Sequence, residues 1–401
     1  MQSLRELYKI GKGPSSSHTM GPERAAKDFL TKYPDAAHYR ALLYGSLALT
    51  GKGHLTDEAI AGVLPAGKTE IVFDPAPREL AHPNTMEFLA LGESGGELGR
   101  ATYLSVGGGT VLIAGEAGQK VESVYPFRTF SEIMQYCKEK NCTLDEVVYE
   151  YEGEGIKDFL LEVWHSMCAT IRKGLNATGK LPGKLGVERK AKILFETVPE
   201  DEEFEAREKR LLCAFAFATS EENAGGGTVV TAPTCGASGV LPAVLWYMSH
   251  KHGFSDHSVV AALAVAGLVG VTVKQNASVS GAEAGCQAEI GTATSMAAAA
   301  VCRLFGAPME ETEYAAEIAL EHQLGLTCDP IGGYVQIPCI ERNAVAAMRA
   351  LESAQLARVL AGTRKISFDL IVHTMYETGK DLSERYRETS EGGLAVTYEG
   401  K

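Results

Sequence analysis

The chain has 401 residues, 45% hydrophobic and 22% charged, with a formal net charge of −13. That composition excludes a disordered chain, and the acidic balance without a basic stripe excludes a nucleic-acid binder. The length exceeds what one hydrophobic core comfortably serves and points to two domains.

The opening MQSLRELYKIGKG mixes charges with apolar residues. The expectation is therefore a cytoplasmic protein without an export signal. In a reducing compartment its nine cysteines read as core residues, ligands or reactive thiols, not as a disulfide framework. Residues 1–150 read as a small α/β domain. Helices are expected over 22–32 and 57–63, and strands over 39–49, 70–73 and 102–106. Residues 137–154, charged and acidic, read as a connector.

From residue 155 onward helical periodicity dominates, over 156–171, 202–219, 239–251, 259–272, 294–305, 315–324 and 344–360. Residues 151–401 are thus expected to form a mostly all-α catalytic domain, and the fold class is α+β. The apolar run 259–273 falls short of the roughly 20 residues a membrane span needs and reads as a buried helix, so no membrane partner is expected. Between the helices lie segments rich in Gly, Ser, Thr and Asn, such as ENAGGGTVVTAPTCGASG and KQNASVSGAEAGCQAEIG. Such loops occur where backbone approaches a ligand closely.

Cys286, Cys328 and Cys339 each sit in a glycine- or proline-bearing break between helical segments. A lone cysteine is usually an inert core residue, but turns are where thiolates converge on a metal. Three thiolates without a nearby histidine or fourth cysteine suit a [4Fe-4S] cluster with one iron left open, whereas structural zinc requires a fourth protein ligand. Cys137, Cys142, Cys168, Cys213 and Cys302 read as structural. Cys235, in TAPTCGASG, either lines a site or packs beside one.

Nearly the whole chain resembles the bacterial iron–sulfur-dependent L-serine dehydratases. The resemblance is carried by GPSSSHTMGP, YGSLALTGKGHLTD, TAPTCGASGVLPAV, KQNASVSGAEAGCQAEIG, LGLTCDPIGGYVQIPCIERN and YRETSEGGLA. It implies that Cys286, Cys328 and Cys339 ligate the cluster, that L-serine is the substrate, and that two parts separate in some relatives are fused here. Single-chain relatives carry a near-terminal cysteine that occupies the open iron. This sequence has no cysteine after Cys339, so no self-inhibiting tail is expected, and water or another small ligand would fill that position at rest.

The reaction needs a base for the α-proton and an electrophile for the hydroxyl leaving group. His54, in GKGHLTD, is the expected base, as in the resembled family, and His18 is the other candidate. Ser15, Ser16, Ser17 and Thr19 precede a helix start and suit the substrate carboxylate, although simple capping explains one of them. Lys274, Asn276 and Ser278 are further candidates for the carboxylate or amino group. Arg342 and Asn343 are expected beside the cluster ligands. The site should lie in the cleft between the domains, in a homo-oligomer, expected as a dimer. Competing readings are a cysteine desulfidase-like lyase, a threonine dehydratase and an amino-acid sensor without catalysis. The GGGT segments at 107–110 and 225–228 suggest pyridoxal phosphate but lack its lysine signature.

Overall fold

The computed structural model describes residues 1–115 and 123–398. Its strands are β1 (Ile10–Lys12), β2 (His38–Tyr44), β3 (Thr69–Asp74), β4 (Thr85–Leu91), β5 (Glu97–Ser105), β6 (Val111–Ile113) and β7 (Thr228–Val230). Strands β3-β2-β4-β5-β6 form one sheet in that order, with β2 and β3 parallel and the other pairs antiparallel. Alternation along β2 buries Tyr39, Ala41 and Leu43. This face meets the helix Gly21–Lys32 through Ala25, Ala26 and Phe29. The Phe88 ring lies 5.5 Å from Phe29 and edge-on to Tyr103 at 5.7 Å. Burying each such ring contributes about 1.5–3 kcal/mol.

The strand expected over 39–49 stops at Tyr44, where Gly45, at φ 53°, turns the chain into the helix Gly45–Thr50. A Cβ there would lie 2.4 Å from the Pro83 carbonyl oxygen. Strand β4 was not anticipated: Thr85, Met86, Phe88, Leu89 and Ala90 are all buried, so it shows no clean alternation.

The larger unit is helical, as expected. At its centre lie the helices Asp256–Asn276 and Thr292–Leu304, whose alanine and glycine content permits close approach. A Cβ on Gly267 would lie 2.6 Å from Leu4, and one on Gly270 2.7 Å from Leu7. Met1, Leu4, Leu7 and Tyr8 thus pack in the helical core, and β1 pairs antiparallel with β7.

The hydrophobic clusters therefore do not divide at residue 150. The sheet cluster draws its buried residues from Ala25 to Tyr103, while Tyr125, Phe130, Ile133, Val147 and Val148 join the helical core. Nor are residues 137–154 a connector. They belong to the helices Phe130–Lys140 and Leu144–Glu152, the second opened by a Thr143–Glu146 capping box. Their charges form the outer faces of amphipathic helices. The helix Phe368–Asp381, capped by Ser367, also lay outside the expected set. Among the described residues only Asp256–Asn276 is long and apolar enough to cross a membrane, and 83% of its most apolar window is buried inside the fold.

Candidate active site

The PSSSHT segment forms a wide helical turn, Ser16–Met20, that runs into the helix Gly21–Lys32. The Ser15 hydroxyl accepts from the His18 N–H at 3.1 Å and caps this turn. The Ser46 hydroxyl donates to the Glu388 carbonyl oxygen at 2.6 Å. Its oxygen must therefore accept from His18 Nε2, 3.0 Å away, which leaves Nδ1 to accept from the Ser17 hydroxyl at 3.1 Å.

His54 occupies the turn after the short helix Gly45–Thr50. Its Nδ1 donates to the Thr50 carbonyl oxygen at 3.1 Å, so the Nε2 lone pair is available to accept a proton. Gly53 is required by close approach, because a Cβ there would lie 2.6 Å from the Gly333 carbonyl. The next residue but one, Leu55, takes the left-handed conformation at φ 56°. Burial holds the His54 imidazole down to about 4. Burial, followed by the charge of His54, holds His18 well below the usual histidine range. His54 lines the cavity that the cysteines line, and His18 stands fully buried behind it.

Cys286, Cys328 and Cys339 all border that one cavity. Cys286 follows Gly285, whose φ is 73°, and Cys339 opens the helix Cys339–Leu360. Cys328 is tied to a distant segment, its N–H donating to the Tyr386 carbonyl at 2.7 Å and its own carbonyl accepting from the Glu388 N–H at 2.8 Å. The ligand atoms of Cys286, Cys328 and Glu289 lie within 4.8 Å of one another. Hydrogen bonding from Cys328, then the Arg342 guanidinium, brings the Cys286 thiol down to about 6, while Cys328 is raised. Arg342 is itself held by the Thr327 carbonyl at 2.6 Å and by Asp329 at 3.3 Å. Asn343 accepts from the Gly239 N–H at 2.9 Å and donates to the carbonyls of Gly236 at 2.7 Å and Cys339 at 2.9 Å.

Sequence reasoning missed two acids in this cavity, Glu289 and Glu388. Burial and the charge of Cys286 push Glu289 up to about 8. Burial, reinforced by Glu289 and Cys286, pushes Glu388 well above the carboxylate range. Its Oε1 lies 3.5 Å from His18 Nδ1 and 3.8 Å from His54 Nε2. Glu388 and Ser390 are both in the left-handed region, at φ 59° and 58°. Asp329 accepting from the Leu394 N–H and Ser390 donating to the Pro330 carbonyl pin the surrounding segment. The available signal was the YRETSEGGLA motif itself, an acid among turn-forming residues.

Of the four hydroxyl candidates, Ser15 borders the cavity. Ser16 is buried, Ser17 is engaged with His18, and Thr19 donates to the His54 carbonyl at 2.7 Å. Lys274, Asn276 and Ser278 are not brought to it. Lys274 donates to the Glu6 carbonyl and the Thr110 hydroxyl, Asn276 to the carbonyls of Arg128 and Thr272, and Ser278 to the Glu283 carboxylate. The last turn of their helix and the loop after it point these groups at neighbouring backbone and Glu283. Cys235 packs its sulfur against that of Met20 at 3.4 Å, while its neighbour Gly236 lines the cavity.

Residues 104–395 match the family model of the serine dehydratase alpha chain, and residues 3–67 that of the serine dehydratase beta chain. The chain is 38% identical to the L-serine dehydratase of Haemophilus influenzae over 99% of both chains. It is 39% identical to that of Streptomyces coelicolor over 98% of both, and 39% identical to L-serine dehydratase 1 of Escherichia coli over 99% of both. With alpha- and beta-chain parts fused in one polypeptide, this chain belongs to the serine dehydratase family.

Proposed function

We propose that this protein is an L-serine ammonia-lyase that converts L-serine to pyruvate and ammonium. The observation that carries the reading is one cavity bordered by the His54 imidazole, the Ser15 hydroxyl and the thiols of Cys286, Cys328 and Cys339. Cys286, Cys328 and Cys339 would hold a [4Fe-4S] cluster. The donor set fits, because soft thiolates select iron–sulfur or zinc, and Arg342 favours the ionised thiol of Cys286. When bound, the cluster supplies a Lewis acid that eases departure of the serine hydroxyl.

The residues of the chain supply the rest. His54 Nε2 accepts the α-proton, its tautomer fixed by the Thr50 carbonyl. The Ser15 hydroxyl orients the substrate carboxylate. His18, held by Ser17 and Ser46, supports His54 from behind. Loss of the α-proton and β-hydroxyl as water leaves 2-aminoacrylate, which tautomerises and takes up water to give pyruvate and ammonium. Arg342 and Asn343 fix the loops that carry the thiols. The reading includes a cytoplasmic homo-oligomer, with L-serine as ligand and neither nucleic acid nor membrane as partner. The net charge of −13 supports the exclusion of nucleic acid.

The test is anaerobic pyruvate release from L-serine, L-threonine and L-cysteine on reconstituted protein with iron and sulfide quantified. About four irons per chain with serine preferred is the expected result, and Cys286→Ala should lose iron and activity together. Turnover of cysteine alone would reassign the protein as a desulfidase, and serine turnover without iron would overturn the cluster assignment.

A further inference from the structure

Two acids, Glu289 and Glu388, are left without a task by the base, the carboxylate site and the thiols of the cavity. Glu388 borders it, its side chain 7% exposed, and its Oε2 is buried without a hydrogen-bond partner among the described residues. A buried carboxylate oxygen left unpaired is costly. The backbone that presents it is strained as well, at φ 59°. That strain is held by the bonds from the Glu388 N–H to the Cys328 carbonyl and from the Ser46 hydroxyl to the Glu388 carbonyl. Strain sustained by surrounding bonds is characteristic of ligand clamps.

We propose that Glu388 binds the α-ammonium group of the substrate. The inference rests on the L-serine reading above and adds the determinant that selects an amino acid over a hydroxy acid. Two geometric facts support it. The α-proton and the α-ammonium are borne by the same carbon, so the base and the ammonium site must be neighbours, and Glu388 Oε1 lies 3.8 Å from His54 Nε2. The polar groups also sort by role around the cavity. Ser15 suits the carboxylate and the cysteines face the leaving group. Glu289, the other acid of the cavity and only half-buried, has a carboxylate oxygen within 4.8 Å of the Cys286 and Cys328 sulfurs and so lies on the leaving-group side. An arriving cation works against the desolvation that otherwise keeps a buried carboxyl neutral.

The test compares cluster-loaded wild type with Glu388→Gln and Glu388→Asp. KM is measured for L-serine, and the inhibition constant for 3-hydroxypropionate, which is serine without its amino group. Calorimetric titration with L-alanine and propionate, a pair differing only in the ammonium, provides a readout independent of turnover. Glu388→Gln should raise KM for L-serine and weaken L-alanine about 30-fold or more. It should leave both deaminated ligands within about threefold, and Glu388→Asp should restore part of the loss. Equal weakening of aminated and deaminated ligands would make Glu388 merely structural. A fall in kcat at unchanged KM would make it a proton carrier instead, and no change in either would leave it no part in binding. Each of these three results overturns the proposal. A wild type that releases no pyruvate from serine would sink the serine reading instead, while the L-alanine and propionate titrations would still decide the role of Glu388.

Discussion

The imidazoles of His18 and His54 lie with ring centroids 4.4 Å apart, tilted by 36°. Each histidine's backbone carbonyl is bound by a threonine just after the other. Thr19 donates to the His54 carbonyl at 2.7 Å, and Thr56 donates to the His18 carbonyl at 2.6 Å. The two motifs are therefore one unit, their backbones tied together by two buried hydrogen bonds. General-base catalysis contributes typically 10²–10⁴-fold. His54→Ala should accordingly lower kcat by about 10³-fold with iron content unchanged. His18→Asn, which keeps an acceptor and a donor behind His54, should lower it only about tenfold. Equal losses in the two variants, measured by steady-state kinetics, would remove the distinction between base and support.

The pH dependence follows from the same ring. Burial lowers His54 to about 4, so the folded protein keeps it neutral and able to accept a proton well below the ordinary histidine value of about 6.5. The acid limb of log kcat/KM should therefore fall well below 6.5, towards pH 4, and a limb centred near 6.5 would show that burial does not lower His54 in the working enzyme. Stability has the same sign. Between about pH 6.5 and 4 the unfolded chain binds a proton at this position that the folded one does not. The histidine's contribution is thus fully present above 6.5 and declines as pH falls towards 4. Melting temperature should drop across that window, and His54→Asn should flatten the drop.

Gly53 faces backbone: a Cβ at this position would lie 2.6 Å from both the carbonyl carbon and oxygen of Gly333. Backbone cannot swing aside as a flexible side chain can. Gly53→Ala should push the His54 turn away from the Ile331–Gly333 turn, cutting kcat about 10²-fold while far-ultraviolet circular dichroism and iron content stay at wild-type levels. Retained activity would mean that the two turns separate without consequence.

Asn343 satisfies three backbone groups from a fully buried position, at Gly236, Gly239 and Cys339. Asn343→Ala would leave these groups to find other partners, and each buried orphan costs about 1–3 kcal/mol. The expected outcome is a melting temperature lower by several degrees, with faster loss of iron to a chelator, because the Gly236 and Cys339 loops border the same cavity. Chelator kinetics equal to wild type would confine Asn343 to general stability.

Local chemistry made much of this protein legible. The helices Ile156–Asn176 and Val240–His252 stand within a few residues of where their periodicity predicts, because a helix's hydrogen bonds close within four residues. The cysteines, the two histidines and Ser15 were legible as motifs, each in a turn of distinctive composition. Other features were not. Strand β4 is buried on both faces and loses the alternation that announces a strand. The helices Phe130–Lys140 and Leu144–Glu152 carry so much charge on their outer faces that they resemble a linker. Lys274, Asn276 and Ser278 stand beside a cysteine motif in sequence, yet the last turn of their helix and the loop after it aim them elsewhere.

By itself the sequence determined the fold class, the family, and which residues are chemically able to act. Only the tertiary structure decided which of them meet. It set His54 at the cavity wall with His18 behind it, brought Met1 to Tyr8 into the helical core, and placed Glu388 beside both histidines in the cavity that the thiols border. The reason is physical. Periodicity and turn chemistry report interactions between near neighbours in the chain, whereas a buried site is assembled by contacts between distant segments whose partners no local pattern records.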